Sequence, residues 1–331
     1  MQELIDPFNR KIEYVRLSIT DRCNYRCFYC IPSTGVDWEN RQEFLSYEEL
    51  TRLIRLFTEL GVTKVRLTGG EPLVRKDIDQ FVRQLNQLPH LADLSMSTNA
   101  HLLADQAKSL HQAGISRINI SIDSLNPQTF KDITKTGDLD KVIAGIDAAV
   151  EAGMSPVKLN MVIMKGINDH EIEEMLDFAE QRGANLRLIE TMPIGIAGVN
   201  SQKLFISAED ILKRIKLISG KNLTPIKGNV GAGPARHYQI GTTKATIGVI
   251  SAMSQHFCES CNRVRLTAKG DLVLCLGQED RISLAEPLRQ NASDDEIKTI
   301  IINAINHKPK SHDFNQDQQR VELRHMSALG G

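Results

Sequence analysis

The chain lacks any apolar run approaching the roughly 18 residues that a membrane-crossing helix needs. It also lacks a basic, then apolar, leader. Met1-Gln2-Glu3-Leu4-Ile5-Asp6 opens with acids, so no secretory signal is expected and the expected compartment is the cytoplasm. Charge of one sign is not in excess. Lys and Arg number 40 and Asp and Glu 41, a net charge of −1. That balance gives no global attraction to nucleic acid or to a membrane surface. A polyanionic substrate must therefore be met by a local basic cluster. Cysteine is scarce, six among 331 residues. An even count allows three disulfides, but a large chain without a leader is expected in a reducing compartment, where disulfides do not persist.

What is present is ordinary for a globular protein, with 41% hydrophobic and 24% charged residues in a length that allows one or two domains. Short β-rich runs alternate with segments of helical period. The expected strands are Tyr14–Thr20, Lys64–Thr68, Asp93–Ser97, Arg117–Ile122, Val157–Ile163 and Asn185–Glu190. Helices are expected over about 46–60, 77–87, 103–113, 138–152 and 169–182. Ser46 with Glu49 forms a capping-box pattern, and Gly61, Gly114, Gly153 and Gly183 stand where helices should end. Strands separated by helices pair in parallel. Six such units suit either a doubly wound sheet or part of a barrel. In a barrel, chemistry gathers at the C-terminal ends of the strands. There lie Cys23–Cys30, Gly69-Gly70-Glu71-Pro72, Ser97-Thr98-Asn99 and Ser121-Ile122-Asp123.

The rhythm breaks after about residue 195. Gly195, Gly198, Gly228, Gly231 and Gly233 mark a loop-rich stretch. Strands are expected near 236–240 and 245–250, a hairpin near 263–275 turning at Lys269-Gly270, and helices over 207–217 and 293–306, the second with a Ser293/Glu296 capping box. The division expected is 1–195 and 196–331.

The cysteines fall into two sets of three. Cys23, Cys27 and Cys30 form C-x3-C-x2-C. Three thiolates so close can wrap one iron–sulfur cluster. A four-iron cluster with three protein ligands keeps one iron open, and an open position signals chemistry, where a closed one signals structure. A zinc site or inert thiols are the bland alternatives, although no histidine lies near and the spacing departs from paired C-x2-C. Cys258, Cys261 and Cys275 form C-x2-C-x13-C. Here a structural zinc completed by His256 competes with a second open cluster. Arg263 and Arg265 follow at strand spacing, hence on one face. Two guanidiniums on one face suit a phosphate-bearing ligand; solvated strand arginines are the alternative.

The first cysteine pattern, with Tyr29 before its last cysteine, and Gly69-Gly70-Glu71-Pro72 after the second strand resemble the radical S-adenosylmethionine (SAM) superfamily. Taken from Asp6-Pro7-Phe8-Asn9-Arg10 through both triads to Gly330-Gly331, the chain resembles the GTP 3′,8-cyclase (molybdenum cofactor biosynthesis protein A) family. That resemblance implies an incomplete (β/α)6 TIM-type barrel, its mouth closed by a C-terminal α+β region. It implies two [4Fe–4S] clusters on the two triads, with SAM on the open iron of the first. The implied reaction is radical conversion of GTP to (8S)-3′,8-cyclo-7,8-dihydroguanosine 5′-triphosphate, in which a 5′-deoxyadenosyl radical abstracts the 3′ hydrogen. The implied partners are cyclic pyranopterin monophosphate synthase downstream, a flavodoxin- or ferredoxin-like reductant and a second copy of the chain. Carried over by position, Tyr29, Gly70, Ser121 and Met192 contact SAM. Arg16, Arg66, Ser97, Lys158, Arg263, Val264 and Arg265 contact GTP, with Arg187 assisting, and Arg16, Arg263 and Arg265 act in catalysis.

The family implies that Gly330-Gly331 enters the active site, whereas composition alone suggests a frayed terminus. Two positions depart from the family pattern. Ile31 stands where methionine is common, and Ala100 where glycine is usual, which puts in question any turn there needing positive φ. The rival functions are a peptide-modifying radical SAM enzyme, which usually has more C-terminal cysteines, and a non-enzymatic metal-binding module, which needs closed four-ligand sites.

Overall fold

The computed structural model describes residues 3–31, 35–36, 38–194, 201–226, 233–241, 246–278, 280–312, 314 and 326–330. Its centre is six parallel strands, β1 (Tyr14–Ser18), β2 (Lys64–Thr68), β3 (Asp93–Thr98), β4 (Arg117–Ser121), β5 (Val157–Ile163) and β6 (Asn185–Glu190). The helices between them are α1 (Tyr47–Glu59), α2 (Ile78–Asn86), α3 (Ala107–Ala113), α4 (Pro127–Thr134), α5 (Leu139–Glu151) and α6 (Ile172–Gln181). The expected capping box starts α1: the Glu49 N–H donates to the Ser46 hydroxyl at 3.2 Å, and the Ser46 N–H donates to the Glu49 carboxylate at 2.7 Å.

The strand pleat sorts the chemistry. Val15, Leu17, Val65, Leu67, Met96, Ile118, Ile120, Leu159 and Leu188 face the helices and are at most 1% exposed. Each contributes roughly 1.5–3 kcal/mol of burial. The alternate positions, Arg16, Arg66, Ser95, Asn119, Lys158 and Arg187, stand on the opposite, inner face. The lumen is thus polar and basic, while the fold is held from outside.

The later chain continues this sheet at both edges. Its elements are α7 (Ser201–Leu204), α8 (Ala208–Ser219), β7 (Leu223–Pro225), β8 (Arg236–Ile240), β9 (Thr246–Ile250), β10 (Arg263–Leu266), β11 (Asp271–Val273), β12 (Arg281–Ser283), α9 (Ala285–Arg289), α10 (Asp294–Ile305) and α11 (Met326–Leu329). The order is β12-β11-β10-β1-β2-β3-β4-β5-β6-β9-β8-β7. β10 lies parallel to β1, setting Arg263 opposite Tyr14 and Arg265 opposite Arg16. β9 lies parallel to β6. The architecture is a partial TIM-type barrel, open between β12 and β7. The β10–β11 hairpin turns at Gly270, whose φ is +87°. No helix among the described residues is long and apolar enough to cross a membrane.

The expectation of a frayed C-terminus is corrected for residues 326–330. Leu329 is 1% exposed, and Arg265 donates to the carbonyls of Leu329, at 3.1 Å, and Gly330. Gly330 has φ +73°, and a Cβ there would lie 2.5 Å from the Thr68 side chain. Gly331 lies outside the described residues, as do Gly195, Gly198, Gly228 and Gly231.

Candidate functional site

One cavity of about 780 Å³ occupies the barrel lumen, and all six cysteines line it. None is in a disulfide. No group of three or more His, Cys, Asp or Glu among the described residues converges as a single-ion site.

The first triad sits in the loop leaving β1. The Tyr25 N–H donates to Cys23 Sγ at 3.4 Å, and Asn99 Nδ2 lies 3.9 Å from the same sulfur. Burial and then neighbouring acids push these thiols up: Cys23 to about 11, with Glu71 adding to the burial, and Cys30 to about 12, with Cys23 adding to it. Cys27 is held further above its ordinary value by burial and then by Cys30 and Asp123. Three such thiols are a donor set that a cationic iron cluster fits, because it takes them as thiolates and offsets their mutual repulsion.

Gly69 and Gly70 press against this loop. The Gly70 N–H donates to the Thr20 carbonyl and the Glu71 N–H to the Arg22 carbonyl, both at 2.7 Å. A Cβ on Gly70 would lie 2.3 Å from the Arg22 carbonyl oxygen and 2.4 Å from that of Asp21. These glycines therefore serve a backbone-to-backbone contact, as well as bordering the cavity. Glu71 is spent inside the protein. Its carboxylate accepts from Thr98 Oγ1 at 2.6 Å, Asn99 N at 2.7 Å and Leu73 N at 3.1 Å. Burial raises it to about 7.

Tyr29, Gly70, Ser121 and Met192 all border the cavity. The Tyr29 hydroxyl donates to Asp123 at 2.5 Å, which leaves its ring and backbone for a ligand. Asp123 also accepts from the Val162 N–H at 2.8 Å, and burial raises it to about 6.

The second triad joins a 3-10 turn, Cys258–Ser260, to Cys275 beyond β11. Its surroundings are cationic. Burial works to raise Cys261, but Lys308, Arg263 and Arg10 outweigh it and the thiol is lowered. Burial leaves Cys275 raised.

Five of the predicted basic residues, Arg16, Arg66, Arg187, Arg263 and Arg265, border the same cavity as the triads. Arg66, Arg16 and Arg265 are cross-strand neighbours on β2, β1 and β10. Ser97, Asn119 and Lys158 form a second row across β3, β4 and β5. Val264, 1% exposed, is on the alternate, apolar face of β10, so it meets the lumen through its backbone. Lys158 does not border the cavity, although its row neighbours Ser97 and Asn119 do. Burial, then Arg187, Arg117 and Arg66, push Lys158 down to about 7. Burial and Arg66 likewise lower Arg187 to about 9. Among the described residues none of Arg16, Arg66, Lys158, Arg187, Arg263 and Arg265 has a carboxylate partner. The guanidinium nitrogens Nε of Arg16, Arg187 and Arg263 are buried without a hydrogen-bond partner among the described residues. A buried cationic well of this kind is stabilised by a polyanion.

Sequence reasoning missed Tyr14. Its ring lies 5.5 Å from Arg66 and 5.9 Å from Arg263. Burial works to raise its phenol, yet Arg66, Arg16, Arg263 and Arg265 outweigh it and lower it. Its position two residues before Arg16, on the same strand face, was the available signal. His237 on β8 was missed as well; burial, Arg187 and Lys158 lower it to about 4.

Two family models match the chain: the radical SAM superfamily over residues 17–179, and Molybdenum Cofactor Synthesis C over residues 184–314. The GTP 3′,8-cyclase of Hydrogenovibrio crunogenus is 52% identical over 329 residues, covering 99% of this chain and 99% of that protein. That of Syntrophomonas wolfei is 44% identical over 328 residues, covering 99% and 100%. Among solved structures, Streptococcus suis SuiB bound to precursor peptide SuiA aligns with a TM-score of 0.64 at 14% identity, covering 93% of this chain and 76% of that one. At that identity the likeness is one of fold alone.

Proposed function

The chain belongs to the GTP 3′,8-cyclase family of radical SAM enzymes, and on that premise we propose how its residues divide the work. Family membership brings one [4Fe–4S] cluster and SAM, which when bound supply the 5′-deoxyadenosyl radical that abstracts a substrate hydrogen. Cys23, Cys27 and Cys30 would hold that cluster. Gly70, Ser121, Met192 and the Tyr29 ring and backbone would orient SAM. Cys258, Cys261 and Cys275 would hold a second cluster. Arg16, Arg66, Lys158, Arg263 and Arg265, helped by Arg187, clamp the GTP triphosphate, and Ser97 and the Val264 backbone add polar contacts. Arg16, Arg263 and Arg265 would act at the ring-closing step. Arg265 also holds the tail at Leu329 and Gly330. The boundary at 195/196 would separate the part that carries the first triad from the part that carries the second, with both contributing residues to the substrate. The cyclised triphosphate would pass to cyclic pyranopterin monophosphate synthase in the cytoplasm, with a flavodoxin- or ferredoxin-like reductant and a homodimeric enzyme.

The observation that carries this reading is one cavity lined by both triads and by Arg16, Arg66, Arg187, Arg263 and Arg265, none of which has a carboxylate partner among the described residues. Anaerobic reconstitution tests it. About eight irons per chain and conversion of GTP to a cyclised triphosphate, given SAM and a reductant, are expected. Bound zinc, or SAM cleavage indifferent to GTP, overturns it. Cys275→Ala should abolish cyclisation while SAM cleavage falls far less; equal loss of both would remove the division of labour.

A further inference from the structure

The second triad has supports that lie far away in sequence. Arg10 is 8% exposed and Asp6 3%. Arg10 Nε donates to Asp6 Oδ2 at 2.5 Å. Its Nη1 donates to the Cys258 carbonyl and to the Lys310 carbonyl, each at 2.8 Å, and its Nη2 to the Pro309 carbonyl at 2.5 Å. Asp6 Oδ1 accepts the N–H groups of Phe8 and Arg10, each at 2.9 Å. The carboxylate thereby fixes both the 6–10 turn and the plane of the guanidinium.

Lys308, 3% exposed, completes the arrangement. Its amine donates to the Arg263 carbonyl at 3.0 Å and to the Leu274 carbonyl. Arg263 lies two residues beyond Cys261, and Leu274 adjoins Cys275. Each chain piece that carries a thiol of this triad is thus held through a main-chain carbonyl by a buried cation. A buried ammonium is costly without a counter-charge. Lys308 forms no ion pair among the described residues, and the anionisable groups acting on it are Cys261 and Cys275, then Asp6.

We propose that Asp6, Arg10 and Lys308 are positioning residues for the second iron–sulfur site. They fix the separation of its two thiol-bearing pieces and balance the charge of its thiolates. The N-terminal segment is then part of that site, although Arg10 and Cys258 are 248 positions apart. This rests on the two-cluster reading above.

The test is iron content and the electron paramagnetic resonance of the reduced full-length protein, reconstituted anaerobically. SAM, added afterwards, perturbs the signal of the cluster it binds and so separates the two sites. Arg10→Gln and Lys308→Met should each bind about half of the wild-type iron, the surviving signal being the SAM-sensitive one. Arg10→Lys keeps the charge but loses the fork, and should fall between Arg10→Gln and wild type. Wild-type iron in both Arg10→Gln and Lys308→Met overturns the proposal. So does equal loss of the SAM-sensitive and SAM-insensitive signals. A wild-type protein that binds only about four irons overturns the two-cluster reading itself, and the clamp's purpose with it.

Discussion

The two cysteine triads border one cavity, but they are built in opposite ways. The first is local. Eight residues after β1 carry all three thiols, and Arg26 from the same loop holds the Cys23 carbonyl at 2.6 Å. The second is assembled: a 3-10 turn, the end of a hairpin, a turn near the N-terminus and the chain beyond α10 must all meet. Their electrostatics differ in the same sense. The acids Glu71 and Asp123 add to the burial of the first set, whereas Lys308, Arg263 and Arg10 act on the second. The difference teaches that two triads of the same residue type can have unlike dependence on the fold. One site is set by its own loop, the other by packing of distant segments.

Gly70→Ala should break this comparison most sharply. The added Cβ meets the backbone of Asp21 and Arg22, at 2.4 and 2.3 Å. No side chain can move aside, so the cysteine loop itself must shift. We expect destabilisation of about 1–3 kcal/mol and selective loss of the SAM-sensitive iron signal, read by thermal melting and resonance spectroscopy. Loss centred on the SAM-insensitive signal would contradict the assignment of locality.

Lys158 sharpens the electrostatic side. The unfolded chain holds this proton to about 10.4, while the folded protein releases it near 7. Between those values the unfolded state binds more protons, so this group's contribution to stability rises with pH across the window. Below about 7 both states are charged and the full cost of burying the cation stands. On the proposed contact, a bound triphosphate would reverse that cost by favouring the ammonium. GTP binding above pH 7 should therefore take up protons, and KM should rise by up to about tenfold per pH unit. Calorimetry in buffers of different ionisation enthalpy measures the uptake. Lys158→Met should flatten the slope; an unchanged slope would assign it to another group.

The six barrel strands were legible because alternation, β-branched runs and capping glycines agree. The triads were legible because ligand spacing is local chemistry. α4 was not, although Asn126-Pro127 is a start signal and Asn126 caps Gln128 N and Thr129 N, both at 3.0 Å. Eight residues give too few apolar periods to recognise. The parallel seat of β10 beside β1, and with it the row Arg66–Arg16–Arg265, depends on tertiary pairing that no local pattern encodes. No local pattern marks Arg10 or Lys308 as supports of the second triad, for the same reason. The tail read as frayed because its anchor, Arg265, is remote.

Ala100 gives the smallest effect and a test of how much strain the first triad's neighbourhood stores. It has φ +60°, a left-handed conformation that costs an L-residue roughly 1–2 kcal/mol. It is also fully buried, against α5, where a Cβ on Gly145 would lie 2.4 Å from its carbonyl oxygen and 3.1 Å from its methyl. Ala100→Gly should relieve the strain. It also gives up about 0.8 kcal/mol of methyl burial and about 0.4–1 kcal/mol through the freer unfolded chain. The terms nearly cancel, so Tm should move by no more than about 3 °C. Asn99, one residue earlier, should keep its contact with Cys23, so both iron signals should persist. A gain above about 2 kcal/mol would mean that the strain is larger than the backbone angle implies. Loss of the SAM-sensitive signal would mean that the Ala100 methyl, and not the loop's own hydrogen bonds, holds Asn99 against the first triad.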